Sequence, residues 1–410
     1  MGARADVQFD DAVASPDDLP KAEKAIQVDA LTGLRGFAAL AVVAVHASGR
    51  TDFDWFGIHG YGPVSLFVLS GFLLYRPWSV WALGRGTRPE VRTFARRRLL
   101  RIFPAYLVVM FAIAVMLPES QPNGPDGWLR AVTLTGTFAS DGLRPGFEQT
   151  WSLGTELSWY VALPFLGLVA GLVARRRTPR GAFWSTLGLL ALSIPVTIAW
   201  RIWTEVEDLG KEFTYSFWLP GFLVCFAGGA AVAHVLEGEK AGIVDLTRVR
   251  GWFQRSWLLF VVVVVTVLVC NSALGGPTAY VPATFSERQV RFGCSTLLAL
   301  LLLAGAVLCR PTSWLPRVMS TRFLTAIGRW SFGIYLWHLP VIVLLEDDFV
   351  HRTGFGGFLL WMSCILAISI PLGAATYAWV ESPAISWSKK KPRSTDRAAV
   401  TGAASPSPRD

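Results

Sequence analysis

The sequence predicts an all-α fold, a polytopic transmembrane helical bundle of about ten spanning helices. Of the 410 residues, 52% are hydrophobic and only 16% are charged, which is too apolar for a soluble protein of this length. The apolar stretches are long enough to cross about 30 Å of hydrocarbon at about 1.5 Å per residue. They recur along the whole chain between short polar breaks, so no substantial soluble domain remains.

The predicted elements follow the apolar runs in chain order. Residues 1–28 carry several acidic residues and no apolar run, which predicts a disordered cytoplasmic leader and not a cleavable signal peptide. Residues 29–387 form the predicted membrane domain, and residues 388–410, basic and then rich in Ser, Pro and Ala, form a predicted disordered basic cytoplasmic tail. The expected spans are roughly 31–49, 61–79, 101–117, 151–174, 182–203, 215–236, 257–271, 290–309, 326–345 and 355–380.

The basic residues between these spans predict the topology. They cluster after the second, fourth, eighth and tenth spans, in "RGTRPEVRTFARRRLLR", in "RRRTPR", at Arg310, Arg317 and Arg322, and in "KKK". All of these segments fall on one side, which the positive-inside rule assigns to the cytoplasm together with both termini. The net charge of +9 is thereby explained by orientation, so it gives no support to a nucleic-acid partner.

The cysteine pattern predicts neither a disulfide framework nor a metal site. Five cysteines are scattered in or beside apolar runs, without CxxC or Cys/His spacing. We therefore expect small core residues at these positions.

Two ionisable residues in the first span indicate a polar site. Arg35 and His46 are eleven positions apart, so they share a helix face and are separated by about 16 Å. An ionisable residue is rare at the depth of His46 unless it lines a polar cavity. A structural alternative also remains: Arg35 snorkels to inner phosphates and His46 makes an interhelical hydrogen bond.

The fourth span carries a carboxylate, Glu156, close to Trp151, Ser152 and Tyr160. A buried carboxylate needs a partner, and His46 at similar depth would serve, because a carboxylate raises imidazole basicity and fixes its tautomer. That pairing would prepare a general base. A hydrogen bond from a helix hydroxyl to Glu156 is the structural alternative.

Two further spans carry spaced polar residues. Arg98 and Arg101 share a face at the start of the third span, a geometry suited to gripping a phosphate-bearing ligand, although topology signalling alone also explains arginines there. Tyr335 and His338 share a face in the ninth span, with a core or aromatic-belt role as the alternative. In the second span, Ser70 is interpreted, like its neighbour Gly71, as a small packing residue.

Together these segments resemble acyltransferase family 3, the integral-membrane O-acyltransferases of bacteria. The resemblance runs from about Leu31 to Glu381 and rests on the Arg-x10-His helix, "FVLSGFLL", "RRRLLRIFPAYL", "WSLGTELSWY", "SFGIYLWHLPV" and "WVESPAI". Trp159 departs from the family, which more often has Phe there. Many relatives carry a soluble hydrolase-like domain after the helices; here a short tail follows, so we expect the reaction to be completed in the membrane domain.

The resemblance implies transfer of an acyl group from acyl-CoA, a co-substrate and not a bound cofactor, to a hydroxyl of a sugar-containing acceptor. Envelope glycans and secondary metabolites such as macrolides or glycosylated peptides are the expected acceptor classes, and membrane lipids the surroundings. The expected catalytic residues are His46, Glu156 and His338. The residues expected to hold the coenzyme A phosphates are Arg35, Arg98 and Arg101. The expected substrate-binding residues are Tyr335, Trp151, Ser152 and Tyr160.

Two rival readings remain at this point. A multi-span transporter of a glycan or small molecule also places charges within helices, but the sequence lacks paired halves with matching Gly/Pro-broken helices. A non-catalytic scaffold is disfavoured because buried Arg, Glu and His residues in separate helices are costly.

Overall fold

The computed structural model describes residues 21–389 apart from residues 54, 56–59, 140–141, 208, 210–214, 279–282 and 350–352. No strand occurs among these residues, and fifteen α-helices form the fold. In chain order they are α1 Lys21–Ser48, α2 Tyr61–Ala82, α3 Val91–Met116, α4 Gly124–Thr133, α5 Trp151–Ala174, α6 Pro179–Ala191, α7 Ser193–Val206, α8 Leu219–Lys240, α9 Thr247–Gln254, α10 Ser256–Cys270, α11 Phe285–Leu308, α12 Trp314–Met319, α13 Arg322–Phe349, α14 Gly354–Thr376 and α15 Ser382–Lys389.

All ten predicted spans are helical. Among the described residues, eight helical segments are long and apolar enough to cross a membrane, and the pair α9 and α10, bent by 76°, makes nine if counted as one span. α2 is not among the eight and contains Arg76 and several tyrosine, serine and proline side chains, yet most of its residues are buried among other helices. The fold is the predicted all-α polytopic bundle.

Three details differ from the sequence-based expectation. α1 begins at Lys21, because Lys, Ala, Glu and Gln are good helix formers, so the predicted boundary between residues 28 and 29 falls inside this helix. The rest of the predicted leader, and the tail beyond Lys389, lie outside the described residues. The predicted span 182–203 is interrupted at Leu192, since Pro195 has no N–H to continue the hydrogen bonding of α6.

The third difference is α4, which lies in a segment expected to be a loop. Pro125 sits in its first turn, where the missing N–H costs nothing, and Arg130 pairs with Asp126 at 2.6 Å and i,i+4 spacing. Both signals are visible in "GPDGWLR", but the helix is too short and too polar to be found by searching for apolar runs.

Close backbone contacts fix the two helix pairs that position the site. A Cβ on Gly328 of α13 would lie 1.9 Å from the Thr32 carbonyl oxygen of α1, and a Cβ on Gly71 of α2 would lie 1.9 Å from the Phe226 carbonyl oxygen of α8. Only glycine permits such an approach, as in other helix pairs of membrane proteins. Gly71 is therefore a packing residue, as predicted.

The basic segments meet at one end of the bundle, here named the basic end. Arg85 at the end of α2 pairs with Glu237 near the end of α8, Arg175 at the end of α5 stacks on Trp81, and Arg96 of α3 donates to a carbonyl of α15. The opposite end, named the histidine end, carries the ends of α1 and α13. That the basic end faces the cytoplasm stays a prediction.

Candidate active site

A cavity of about 220 Å³ lies among α1, α2, α3, α5 and α13, and we name it the arginine cavity. Apolar side chains such as Leu69, Ile102 and Phe332 form much of its wall. Its polar wall contains seven of the ten predicted site residues, namely Arg35, Arg98, Arg101, Ser152, Glu156, Tyr160 and Tyr335. These residues, predicted on four separate helices, thus lie around one space.

The three arginines of this cavity, named the arginine trio, are without anionic hydrogen-bond partners among the described residues. Neither Arg35 nor Arg101 makes a hydrogen bond there, and the buried Nε of Arg98 has no partner. The Arg98 guanidinium instead lies 5.9 Å from the centre of the Tyr160 ring. Unpaired guanidinium groups around a cavity provide forked donors for an anion such as phosphate.

Two carboxylates lie within electrostatic range of Arg35, those of Glu156 and Glu381. Of the two, Glu156 lines the arginine cavity and Glu381 does not. Glu381 is 2% exposed, its Oε1 has no hydrogen-bond partner, and it ends a π-helical turn, Tyr377–Glu381, between α14 and α15. Such turns often occur at functional sites.

The carboxylate of Glu156 is held by hydroxyl groups. Its Oε1 accepts hydrogen bonds from Ser70 at 2.9 Å and from Tyr160 at 2.7 Å. The expected partnership of Glu156 with His46 is wrong, because the hydroxyl groups of α2 and α5 lie nearer to the carboxylate. Ser70 therefore does more than pack.

His46 pairs with His338, and we name these two residues the histidine pair. Their ring centres are 5.0 Å apart, and His338 is completely buried while His46 is half-buried. The pair forms because α1 and α13 approach so closely. His338 does not line the arginine cavity, and neither does His46.

Backbone carbonyls fix the tautomers of the pair. His338 Nδ1 donates to the Tyr335 carbonyl at 2.7 Å, and His46 Nδ1 donates to the Val42 carbonyl at 2.9 Å, since a carbonyl oxygen only accepts. The unprotonated Nε2 of His338 then accepts a longer contact of 3.3 Å from His46 Nδ1. His46 Nε2 is left as an unprotonated nitrogen, which is what a general base requires.

The wall between the arginine cavity and the histidine pair is a second hydroxyl cluster. Tyr335 and Ser152 hydroxyl oxygens are 2.6 Å apart, and the Tyr335 hydroxyl donates to the Gln149 carbonyl at 2.6 Å. The Tyr335 ring faces the cavity on one side and lies 5.6 Å from the His338 ring on the other. Tyr335 and Ser152 thus connect the two groups of predicted residues.

Trp151 is the predicted site residue that lies elsewhere. Its ring packs against Phe217 and Phe222, with ring centres at 4.2 and 5.3 Å, and it does not line the cavity. As the first residue of α5, it projects toward the aromatic side chains of the segment entering α8. The contacts observed for Trp151 are packing contacts, and its role in substrate binding stays a prediction.

Sequence reasoning assigned no role to Glu381 or to Gln149. The motif "WVESPAI" contains Glu381, so the resemblance held a signal for it, but only the fold brings it near Arg35 and Arg101. Gln149 precedes the α5 motif, and its side chain donates to the Leu336 carbonyl at 2.9 Å, which ties α5 to α13. No sequence pattern predicted that contact.

Comparison with known proteins decides the family. The model of the acyltransferase domain of family 3 matches residues 28–378. The chain belongs to acyltransferase family 3. It is therefore a multi-pass membrane enzyme, an O-acyltransferase, and the transporter and scaffold alternatives are set aside.

Relatives of this family member are also acyltransferases by name. The chain is 26% identical to the acyltransferase MdmB of Streptomyces mycarofaciens over 88% of its own length and 92% of that protein. It is 25% identical to the putative peptidoglycan O-acetyltransferase YrhL of Bacillus subtilis (strain 168), over 77% of the chain and 49% of that protein. It is 22% identical to the O-acetyltransferase OatA of Staphylococcus aureus, over 86% of the chain and 56% of that protein. The chain thus spans about half the length of the last two, and no solved structure matches it.

Proposed function

We propose that this family member transfers an acyl group from acyl-CoA to a hydroxyl of a sugar-containing acceptor. The observation that carries the proposal is the arginine trio, Arg35, Arg98 and Arg101, which lines one cavity without an anionic hydrogen-bond partner among the described residues. A coenzyme A thioester offers phosphates for such donors and an activated acyl group for transfer.

In this proposal the donor's diphosphate binds the arginine trio. Charge-assisted hydrogen bonds to phosphate are about twice as strong as neutral ones, and the forked donors of the three guanidinium groups orient the ligand. The pantetheine arm then extends along α1 toward the histidine pair, a distance of about 16 Å from Arg35 to His46 along the helix. Glu156, held by Ser70 and Tyr160, lowers the net positive charge of the cavity. The affinity of the arginine trio for phosphate is thereby limited.

His46 acts as the general base. Its Nε2 takes the proton of the acceptor hydroxyl, the hydroxyl oxygen attacks the thioester carbonyl, and the coenzyme A thiolate leaves and is protonated. His338 orients His46, because its Nε2 accepts from His46 Nδ1. The contact between Tyr335 and Ser152 separates the arginine cavity from the histidine pair in this structure. Acyl transfer therefore requires this contact to open.

A sugar hydroxyl is the proposed acceptor. The name of the Bacillus relative includes peptidoglycan, a glycan, which supports a carbohydrate of the cell envelope. The Streptomyces relative matches over nearly its whole length, but its name states no acceptor. A glycosylated secondary metabolite stays the second proposed class. We propose that the basic end is cytoplasmic, so that donor enters from the cytoplasm, as the basic segments at that end support.

Acyl transfer in a defined membrane tests this function. We would place the purified protein in phosphatidylcholine nanodiscs with radiolabelled acetyl-CoA and a panel of glycan fragments and glycosylated metabolites. The expected result is an ester on one acceptor with stoichiometric release of free coenzyme A thiol. In sealed vesicles, label that crosses the membrane without forming an ester would contradict the proposal.

Orientation is tested separately with reporter fusions. A reporter inserted between residues 124 and 134 should behave as external, because this segment lies at the histidine end. A cytoplasmic signal there would overturn the proposed direction of donor entry.

A further inference from the structure

A second cavity lies at the basic end, beside the arginine cavity, and no role has been assigned to it. Its volume is about 450 Å³, and Arg35 and Leu73 contribute to the walls of both cavities. This volume lies within the range of small-molecule pockets, about 300–1,000 Å³. A ligand in the arginine cavity therefore has a neighbouring space available on the other side of Arg35.

The charge at this second cavity is unbalanced. Glu237 is buried, and three cations surround its carboxylate: Arg76 at 2.7 Å, Arg85 at 3.0 Å and Lys240 at 3.4 Å. Among the described side chains, Arg76 and Arg85 both pair with this single carboxylate, so one positive charge remains beside a cavity that also contains Arg35. Excess buried or half-buried positive charge is stabilised by an anion from outside the chain.

Arg76 is the donor best placed for that anion. It lines the cavity, its side chain is 52% exposed, and only its Nε contacts Glu237 among the described residues. The two terminal nitrogens of the guanidinium are left to bind a ligand. Arg85 pairs with the same carboxylate but does not line the cavity.

Much of the remaining wall is apolar, formed by side chains such as Leu31, Phe72, Leu236 and Val307, while Gln27, Thr32, Glu237 and Lys240 also line the cavity. A cavity with a cationic corner and an apolar wall suits a flat heterocycle joined to a phosphate. A simple inorganic anion would leave the apolar wall uncovered.

We propose that this second cavity binds the 3′-phosphoadenosine end of the donor, with the 3′-phosphate on Arg76 and the adenine against the apolar wall. The inference rests on the proposed function, since it assumes a coenzyme A thioester in the arginine cavity. Arg35, shared by the two cavities, then lies between the diphosphate and the 3′-phosphate. The shared chemistry is an anionic phosphate group, which the phosphodiester headgroup of an anionic lipid also offers.

Binding of coenzyme A and 3′-dephospho-coenzyme A tests the assignment without any acceptor. We would titrate the full-length protein in phosphatidylcholine nanodiscs by calorimetry with each ligand. The wild type should bind coenzyme A roughly tenfold more tightly, the effect of one charge-assisted contact. Equal affinity for the two ligands overturns the assignment while leaving the proposed function intact; no binding of either ligand overturns both.

Two matched variants locate the phosphate. Arg76→Gln should reduce the tenfold preference to about one while leaving the affinity for the dephospho ligand unchanged, which also shows that the fold is intact. Arg85→Gln removes a contact to the same Glu237 and should keep the preference. A preference retained in Arg76→Gln, or lost equally in Arg85→Gln, overturns the assignment.

A separate titration tests whether the second cavity binds the phosphate of a lipid headgroup. Adding phosphatidylglycerol to the nanodiscs should leave the preference for coenzyme A unchanged. Loss of the preference with this anionic lipid would assign the cavity to a headgroup phosphate instead.

Discussion

The arginine cavity and the histidine pair differ in whether their polar side chains have hydrogen-bond partners. The arginine trio lacks anionic hydrogen-bond partners among the described residues, whereas each histidine donates its Nδ1 proton to a carbonyl of its own helix. His338 is fully buried, while Arg35, Arg98 and Arg101 are half-buried around an open volume. Groups that receive a ligand are left unpaired, and groups that move a proton are held in one tautomer.

Physical cost explains the difference. An unpaired cation in an apolar setting is tolerated when a ligand supplies the counter-charge. The free-energy cost of burying the cation then favours binding of an anionic ligand. A base needs a fixed lone pair, and orienting hydrogen bonds supply that without changing its net charge. The comparison predicts that substitutions at the two places alter different kinetic parameters.

The largest effect is expected at His46. His46→Asn keeps a side-chain donor but removes the basic nitrogen, so kcat should fall about 10²–10⁴-fold. Release of coenzyme A thiol under saturating donor and acceptor measures this. Near-normal kcat would remove His46 from the reaction, and an acyl adduct isolated on His46 would make it a nucleophile instead of a base.

The arginine trio should show the opposite pattern. Arg98→Gln combined with Arg101→Gln should raise the KM for acyl-CoA by roughly 10–100-fold with little change in kcat, because these contacts bind the donor's phosphates. Arg97→Gln is the matched control, since Arg97 is exposed on the same helix and does not line the cavity. A raised KM for acceptor and an unchanged KM for donor would contradict the assignment.

His338 should have a smaller effect than His46. His338→Phe removes the acceptor for His46 Nδ1 but leaves the Val42 carbonyl in place, so kcat should fall about five- to tenfold at unchanged donor KM. His338→Gln, which restores an acceptor, should recover part of the activity. A change in donor KM alone would place His338 on the donor side.

Ser70 should have the smallest effect. Ser70→Ala removes one of two hydrogen bonds to Glu156, and Tyr160 still donates to the same oxygen, so activity should fall no more than about threefold. Ser65→Ala is the control, because Ser65 is buried on the same helix but does not line the cavity. Loss comparable to that of His46→Asn would show that Glu156 acts in the chemistry itself.

The sequence contained the spans and the faces of the helices. Apolar runs located ten helices, and the spacing of Arg98 and Arg101, or of Tyr335 and His338, placed each pair on one face because helix periodicity is local. This is why seven predicted residues line one cavity.

The side-chain partners that face one another across two helices could not be predicted from this periodicity. Periodicity says which face a residue occupies but not which helix lies opposite, so Glu156 was matched with His46 when Ser70 lies nearer. The second cavity depends on how the ends of α1, α2 and α8 meet, and Arg76 and Glu237 are far apart in the chain. The packing of Trp151 against Phe217 and Phe222 could not be predicted for the same reason.

The affinity of the His46→Asn variant for coenzyme A tests the division of roles most directly. Calorimetry in phosphatidylcholine nanodiscs, beside the wild type and Arg98→Gln, gives the three Kd values under one condition. We expect a Kd for His46→Asn within about twofold of wild type although acyl transfer is lost, and a Kd for Arg98→Gln raised about tenfold. A Kd for His46→Asn weakened as much as that of Arg98→Gln would contradict the separation of donor binding from base catalysis.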